Sequence, residues 1–94
     1  MSSINDKVLL EARRKLGLYL RGIREHRKMT QRELAEAAGV TQPQVVHIES
    51  GEKNYTVDTF MAVISALDCY LFLSDRQGKH LDQDHMIKKM RDPI

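Results

Sequence analysis

Cysteine is nearly absent. Cys69 stands alone, so no disulfide can form within the chain, and a reducing, cytoplasmic setting is the expectation. Long apolar runs are missing too. No stretch of about 18 apolar residues occurs, so no membrane span is expected. The opening MSSINDK lacks the basic-then-apolar order of a secretory signal. There is no glycine-rich phosphate loop, and no nucleophile stands beside an evident base. An enzyme is therefore not expected, and no cofactor is called for. Internal repeats and low-complexity tracts are also lacking. What remains is room for one domain of 94 residues. Hydrophobic residues make up 41% of it, enough for one modest core. Domains this small bury a smaller fraction of their surface and often gain stability by dimerising.

The net charge of +2 is uninformative, but its distribution is not. Lys7, Arg13, Arg14, Lys15, Arg21, Arg24, Arg27 and Lys28 oppose only Asp6, Glu11 and Glu25 in the first 28 residues. Residues 54–94 carry five basic and six acidic side chains. A basic front half suits an anionic partner. A solvated helix face explains the same charges equally well.

The first helical stretch runs from about Ser3 to Lys28, with Ser3 and Asp6 resembling a capping box. Leu9, Leu16, Leu20 and Ile23 recur at helical spacing, with Ala12 and Tyr19 alongside. Gly17 and Gly22 weaken this helix. A break near Gly17 would make residues 4–14 a separate arm. The second helix has Thr30 as N-cap and Glu33 at the capping-box position. Gly39 ends it, and Val40 follows as a plug into the core. Thr41 caps a third helix, with Gln44 at the capping-box position and Pro43 in the first turn, where a missing N–H costs nothing. Val45 and Ile48 face inward, and Gly51 closes the helix. Two short helices joined by a glycine-containing turn form a helix-turn-helix. Thr56 caps a fourth helix over about Val57 to Leu67, with Phe60, Val63, Ile64 and Leu67 as its stripe. Tyr70, Leu71, Phe72 and Leu73 then favour a short strand. Gln77-Gly78 reads as a turn. Residues 81–94 are polar and read as a frayed tail or one marginal helix.

The stretch from Leu16 to Leu67 resembles the lambda-repressor/Cro-like helix-turn-helix family, also called the xenobiotic-response-element family. The elements TQRELA, GVTQ, IESG and TFMAVISAL carry the resemblance. It implies a compact helical bundle, usually of five helices. The expectation is therefore an all-α bundle of four to five helices with a short C-terminal β-strand used in dimerisation. Residues 1–14 would be a helical extension, 15–68 the DNA-binding domain, 69–78 the strand and turn, and 79–94 a polar tail. The short apolar strand also resembles HipB-like antitoxins, whose C-terminal strands pair across a dimer.

In this motif the third helix enters the major groove with its first turn toward the base edges. An amide side chain is both donor and acceptor, and so can pair with adenine. Gln42 and Gln44 are the candidates. Pro43 can touch a thymine methyl, and His47, one turn on, a further base edge or phosphate. By resemblance, all four lie at DNA-facing positions. Each also has a plainer reading: Gln44 as a cap, Pro43 as a helix starter, His47 as an ordinary surface residue. Phosphate candidates are Gln31, which matches a phosphate-contacting position of the family, with Arg32, Lys53 and Asn54. Arg13, Arg14 and Lys28 are explained as well by a solvated face. The resemblance also implies that Arg24 pairs with Glu49, as a structural ion pair between the first and third helices.

The partners expected are double-stranded DNA and a second copy of the chain, joined through Tyr70, Leu71, Phe72 and Leu73. The function expected is a sequence-specific transcriptional regulator, a repressor on a palindromic operator. The alternatives are an antitoxin and autorepressor with a toxin as further partner, and a protein-interaction adaptor that binds no DNA. The stretch His80 to His85 holds metal-ligand residue types, but without a fixed register it reads as solvated tail.

Overall fold

The computed structural model describes residues 5–77, and its order is four helices: α1 (Asp6–His26), α2 (Gln31–Ala38), α3 (Gln42–Ser50) and α4 (Val57–Ala66). Ser3, Gly78 and the tail 79–94 with its His80–His85 stretch lie outside the described residues.

Local chemistry starts each helix. Asn5, not Ser3, caps α1: its Oδ1 accepts from the Val8 N–H at 3.0 Å. Asp6 in the first turn and Arg24 and His26 in the last suit the helix dipole. Thr30 and Glu33 form a reciprocal capping box on α2, with Thr30 Oγ1 accepting at 3.0 Å and Glu33 Oε1 at 2.8 Å. The hydrogen bonds to Thr30 hold the Glu33 carboxyl below its ordinary pKa. Thr41 and Gln44 repeat the box on α3. Thr56 caps α4 through Oγ1.

Helix ends are of two kinds. Gly39 and Gly51 close α2 and α3 with φ +70°, where glycine carries no steric cost. Lys28 and Asp68 adopt the same left-handed conformation after α1 and α4, at φ 57° and 56°. Their N–H groups bond back to Glu25 O and Ser65 O, and those of Met29 and Cys69 to Arg24 O and Ile64 O. Both ends are thus Schellman-type closures that satisfy terminal carbonyls despite the side chain.

The apolar stripes meet in one core. Leu20 of α1, Leu34 and Ala35 of α2, Val45 and Ile48 of α3, and Phe60, Val63, Ile64 and Leu67 of α4 and its end are buried. Val40 packs against this core from the turn between α2 and α3, with Leu16, Ile23, Met29 and Tyr55. Tyr55 also stacks on Phe60 at 5.7 Å. Leu9, near the start of the long α1, is exposed, and Tyr19, between Leu16 and Leu20, is on the outward face of the helix.

The α1 helix is unbroken at Gly17, as one continuous first helix requires, and the alternative of a separate arm over residues 4–14 is not realised. An added Cβ there would lie within 2.5 Å of the Ile48 carbonyl oxygen, and against Glu49 as well. Gly17 is buried because α1 lies backbone-close on the end of α3. The glycine thus marks a helix crossing rather than a helix stop.

After α4 the chain continues through Tyr70–Leu73 outside any helix. Among the described residues no strand element forms, and Ser74 makes one isolated bridge. No helix of the described residues is long and apolar enough to cross a membrane.

Candidate nucleic-acid interface

The α3 helix is anchored by one face and open on the other. Val45 and Ile48 are fully buried, and Glu49 beside them is 7% exposed. Gln42, Pro43 and Gln44 are exposed in the first turn, and His47 is half-buried one turn on. The geometry follows from the caps. Thr41 sets the direction of entry, and Pro43 sits where its missing N–H is harmless.

The four residues differ in what they have left to offer. Gln42 is exposed, and its amide makes no hydrogen bond to the described residues. The Gln44 Oε1 already accepts from Thr41 N–H at 2.8 Å, so the cap reading describes that oxygen. Its Nε2 is the end left to donate elsewhere. His47 lines a shallow groove with Gln44, Asn54, Tyr55, Thr56 and Thr59. That groove joins the outer face of α3 to the start of α4. Sequence reasoning misses Tyr55, Thr56 and Thr59 as neighbours of the third helix. The Thr56 cap is the one signal available.

Behind α3 lies a buried polar cluster. Arg24 of α1 donates from Nε to Glu49 Oε2 at 2.6 Å and from Nη2 to Oε1 at 3.1 Å. A third donor, Gln31 Nε2 of α2, reaches the same Oε1 at 3.1 Å. The Arg24 Nη1 donates to the Met29 carbonyl at 2.7 Å. One carboxylate thus ties the starts or ends of three helices together. The hydrogen bond to Glu49 raises the Arg24 pKa against the opposing effect of burial. The Gln31 amide is thus tied to Glu49 through one N–H, which leaves its second N–H and the N-terminus of α2 as donors toward a phosphate.

The remaining phosphate candidates lie at the edges. Arg32 pairs with Glu36 on the exposed face of α2 at 3.5 Å. Lys53 and Asn54 are exposed on the loop after α3. Two arginines that a solvated face would explain equally well reach this loop. Arg13 Nε donates to the Gly51 carbonyl at 2.9 Å, and Arg14 pairs with Glu52 at 2.8 Å. Tyr70, Leu71, Phe72 and Leu73 are 51–87% exposed. Among the described residues, no cluster of three or more His, Cys, Asp or Glu is arranged to hold a metal ion.

Similarity to known proteins points the same way. The helix-turn-helix family model matches residues 20–73, more than half of the chain. No curated protein sequence matches significantly. Several solved structures do. The restriction-modification controller protein C.AhdI from Aeromonas hydrophila is 27% identical, with a TM-score of 0.61 over 64% of this chain and 91% of that one. The clp gene regulator ClgR from C. glutamicum is 34% identical, with a TM-score of 0.59 over 63% and 76%. A chain of the HipA-HipB-O2-O3 complex is 24% identical, with a TM-score of 0.64 over 81% and 99%, and shares the fold. With the four-helix order, the capped α2–turn–α3 pair and the exposed first turn of α3, these matches agree on one conclusion: the chain belongs to the Cro/C1-type helix-turn-helix family of DNA-binding transcription regulators.

Proposed function

We propose that this protein is a sequence-specific repressor that binds a palindromic operator as a homodimer, in the cytoplasm. The observation that carries the reading is the state of α3. Its inner face is locked by Val45, Ile48 and the Glu49 cluster, while Gln42 stands exposed and unspent at its first turn. A rigid helix with a free amide at its N-terminal end suits major-groove readout. In this reading Gln42 pairs with a base edge, Pro43 touches a thymine methyl, and Gln44 donates from Nε2 while its oxygen holds the cap. His47 reaches a base edge or phosphate. Lys53, Asn54, Arg32 and the N-terminus of α2 at Gln31 dock on phosphates and set the register.

One recognition helix contacts few base pairs. Two, related by a twofold axis, read half-sites about one helical turn apart. The exposed apolar run Tyr70–Leu73 is the dimer contact in this proposal. Pairing it with its symmetry mate covers this exposed apolar surface. A toxin partner is not needed to account for any feature of the fold.

Reading and docking separate in one experiment. A duplex selected from random DNA by the wild-type protein and a scrambled duplex are titrated at several salt concentrations. Gln42→Ala should cost about 1–3 kcal/mol on the selected duplex alone, relaxing preference at one base pair per half-site. Lys53→Ala should weaken both duplexes alike and lower the salt slope by about one unit for each phosphate it no longer neutralises. Equal losses for Gln42→Ala on both duplexes would remove its base-reading role. Wild-type protein without salt-dependent DNA binding would overturn the reading in favour of an adaptor.

A further inference from the structure

The loop after α3 is held by residues outside the stretch that matches the family. The match begins at residue 20, whereas α1 begins at Asp6. Arg13 and Arg14 lie in the part of α1 that precedes it. Arg13 Nε donates to the carbonyl of Gly51, the left-handed residue where the loop departs. A Cβ at Gly51 would lie 2.5 Å from the Arg14 backbone nitrogen, so α1 and the loop touch backbone to backbone. Arg14 then grips Glu52 from both Nε, at 3.0 Å, and Nη2, at 2.8 Å. Lys53 and Asn54 follow directly.

We propose that Arg13 and Arg14 are positioning residues for DNA docking: Arg13 fixes the loop that presents Lys53 and Asn54, and Arg14 neutralises Glu52 beside them. The inference rests on the DNA-binding reading and adds a role for the N-terminal half of α1. Charge is the physical reason. Glu52 is a carboxylate next to the loop's proposed phosphate contact. Left unpaired, it would repel the same phosphates that Lys53 attracts. Stability does not account for the pair. Both side chains are about half exposed, at 51% and 55%, where water and salt leave an ion pair little net worth. Arg13 is different: it is partly buried, and its bond to Gly51 spans 38 residues of sequence. It supplies a donor to the carbonyl of the residue that closes α3, which has no partner within the helix.

The test uses the full 94-residue chain, mixed-sequence duplex DNA as the probe, and fluorescence anisotropy at three salt concentrations. Arg14→Gln uncovers Glu52 and should weaken binding about three- to tenfold at low salt, with the difference shrinking as salt rises. The double variant Arg14→Gln with Glu52→Gln should return to within about twofold of wild type, because the repulsive charge is gone. Arg13→Met should weaken binding to this duplex, and should speed amide exchange at Lys53 and Asn54. Unchanged binding by Arg14→Gln would overturn the proposal. So would a double variant as weak as the single one, because Arg14 would then be touching phosphate itself. If Arg13→Met does not fold, the Arg14 and Glu52 pair of variants decides the matter alone. Failure of wild-type protein to bind DNA is seen before any variant is made, and counts against the DNA-binding reading rather than against this one.

Discussion

Arg24 and Glu49 meet across the crossing of α1 and α3 in a two-point contact, Nε to Oε2 at 2.6 Å and Nη2 to Oε1 at 3.1 Å. Both side chains are at least nine-tenths buried. The pair's net worth is modest, because burial cost both charges their water. Breaking it from one side is another matter, since the remaining charge is stranded. Arg24→Met alone and Glu49→Leu alone should each cost about 3–5 kcal/mol in urea unfolding. The double variant should cost clearly less than the two losses together, with a coupling of at least about 0.5 kcal/mol. Additive losses would mean the charges do not depend on one another.

Gly17 and Gly22 sit in the same helix and should respond to alanine with opposite signs. A Cβ at Gly22 meets nothing within 4 Å, so Gly22→Ala should stabilise by about 0.5–1 kcal/mol through helix propensity. At Gly17 the Cβ meets the backbone carbonyl of Ile48 at 2.5 Å, and backbone cannot swing aside. Gly17→Ala should therefore destabilise by about 1–3 kcal/mol, as overpacking does. Thermal melts of the two variants check the sign directly. A Gly17→Ala variant as stable as wild type or more so would mean that α1 does not lie this close to α3.

The dimer is tested at its own residues. Leu71 and Leu73 are 51% and 69% exposed in the single chain, so changing both to Lys should leave the bundle folded. Sedimentation of the variant should give a monomer where wild type gives a dimer. A folded variant that stays dimeric would move the interface elsewhere.

Acid should expose the cap of α2. The Glu33 carboxyl is held below its ordinary value of 4.5 by the backbone and hydroxyl bonds to Thr30. Its ionised form is thus favoured in the folded state. The stability it contributes is complete above the unfolded pKa and is lost as pH falls through the lower folded one. Glu33→Gln carries no such titration. The melting temperatures of wild type and variant should differ most near neutral pH and converge as pH falls below the ordinary value of 4.5 and through the lower folded one. A constant gap across that range would remove the carboxylate from the cap.

Much of the framework is legible because its chemistry is short-ranged. Thr30 with Glu33, Thr41 with Gln44, and Thr56 each satisfy helix N–H groups within three residues. Gly39 and Gly51 mark helix ends because their left-handed backbone suits a missing side chain. The inward faces of α3 and α4 follow from helical spacing. The outward face of α3, with Gln42, follows from the same spacing by exclusion. Less legible are the stops at Lys28 and Asp68, where a conformation usual for glycine carries a side chain. The carbonyls those stops satisfy and the packing around them decide this, and neither is written in residue type.

The sequence by itself determined where α2, α3 and α4 begin, which stripes α3 and α4 bury and which turn of α3 faces outward. These depend on hydrogen bonds and periodicities a few residues long. Tertiary structure alone decided that α1 runs unbroken through Gly17, that the Gln31 amide is tied to Glu49, and that Arg13 and Arg14 hold the loop at Gly51 and Glu52. Those contacts join residues 18 to 38 positions apart. No local spacing encodes them, because they exist only once the core has brought α1, α2 and α3 together.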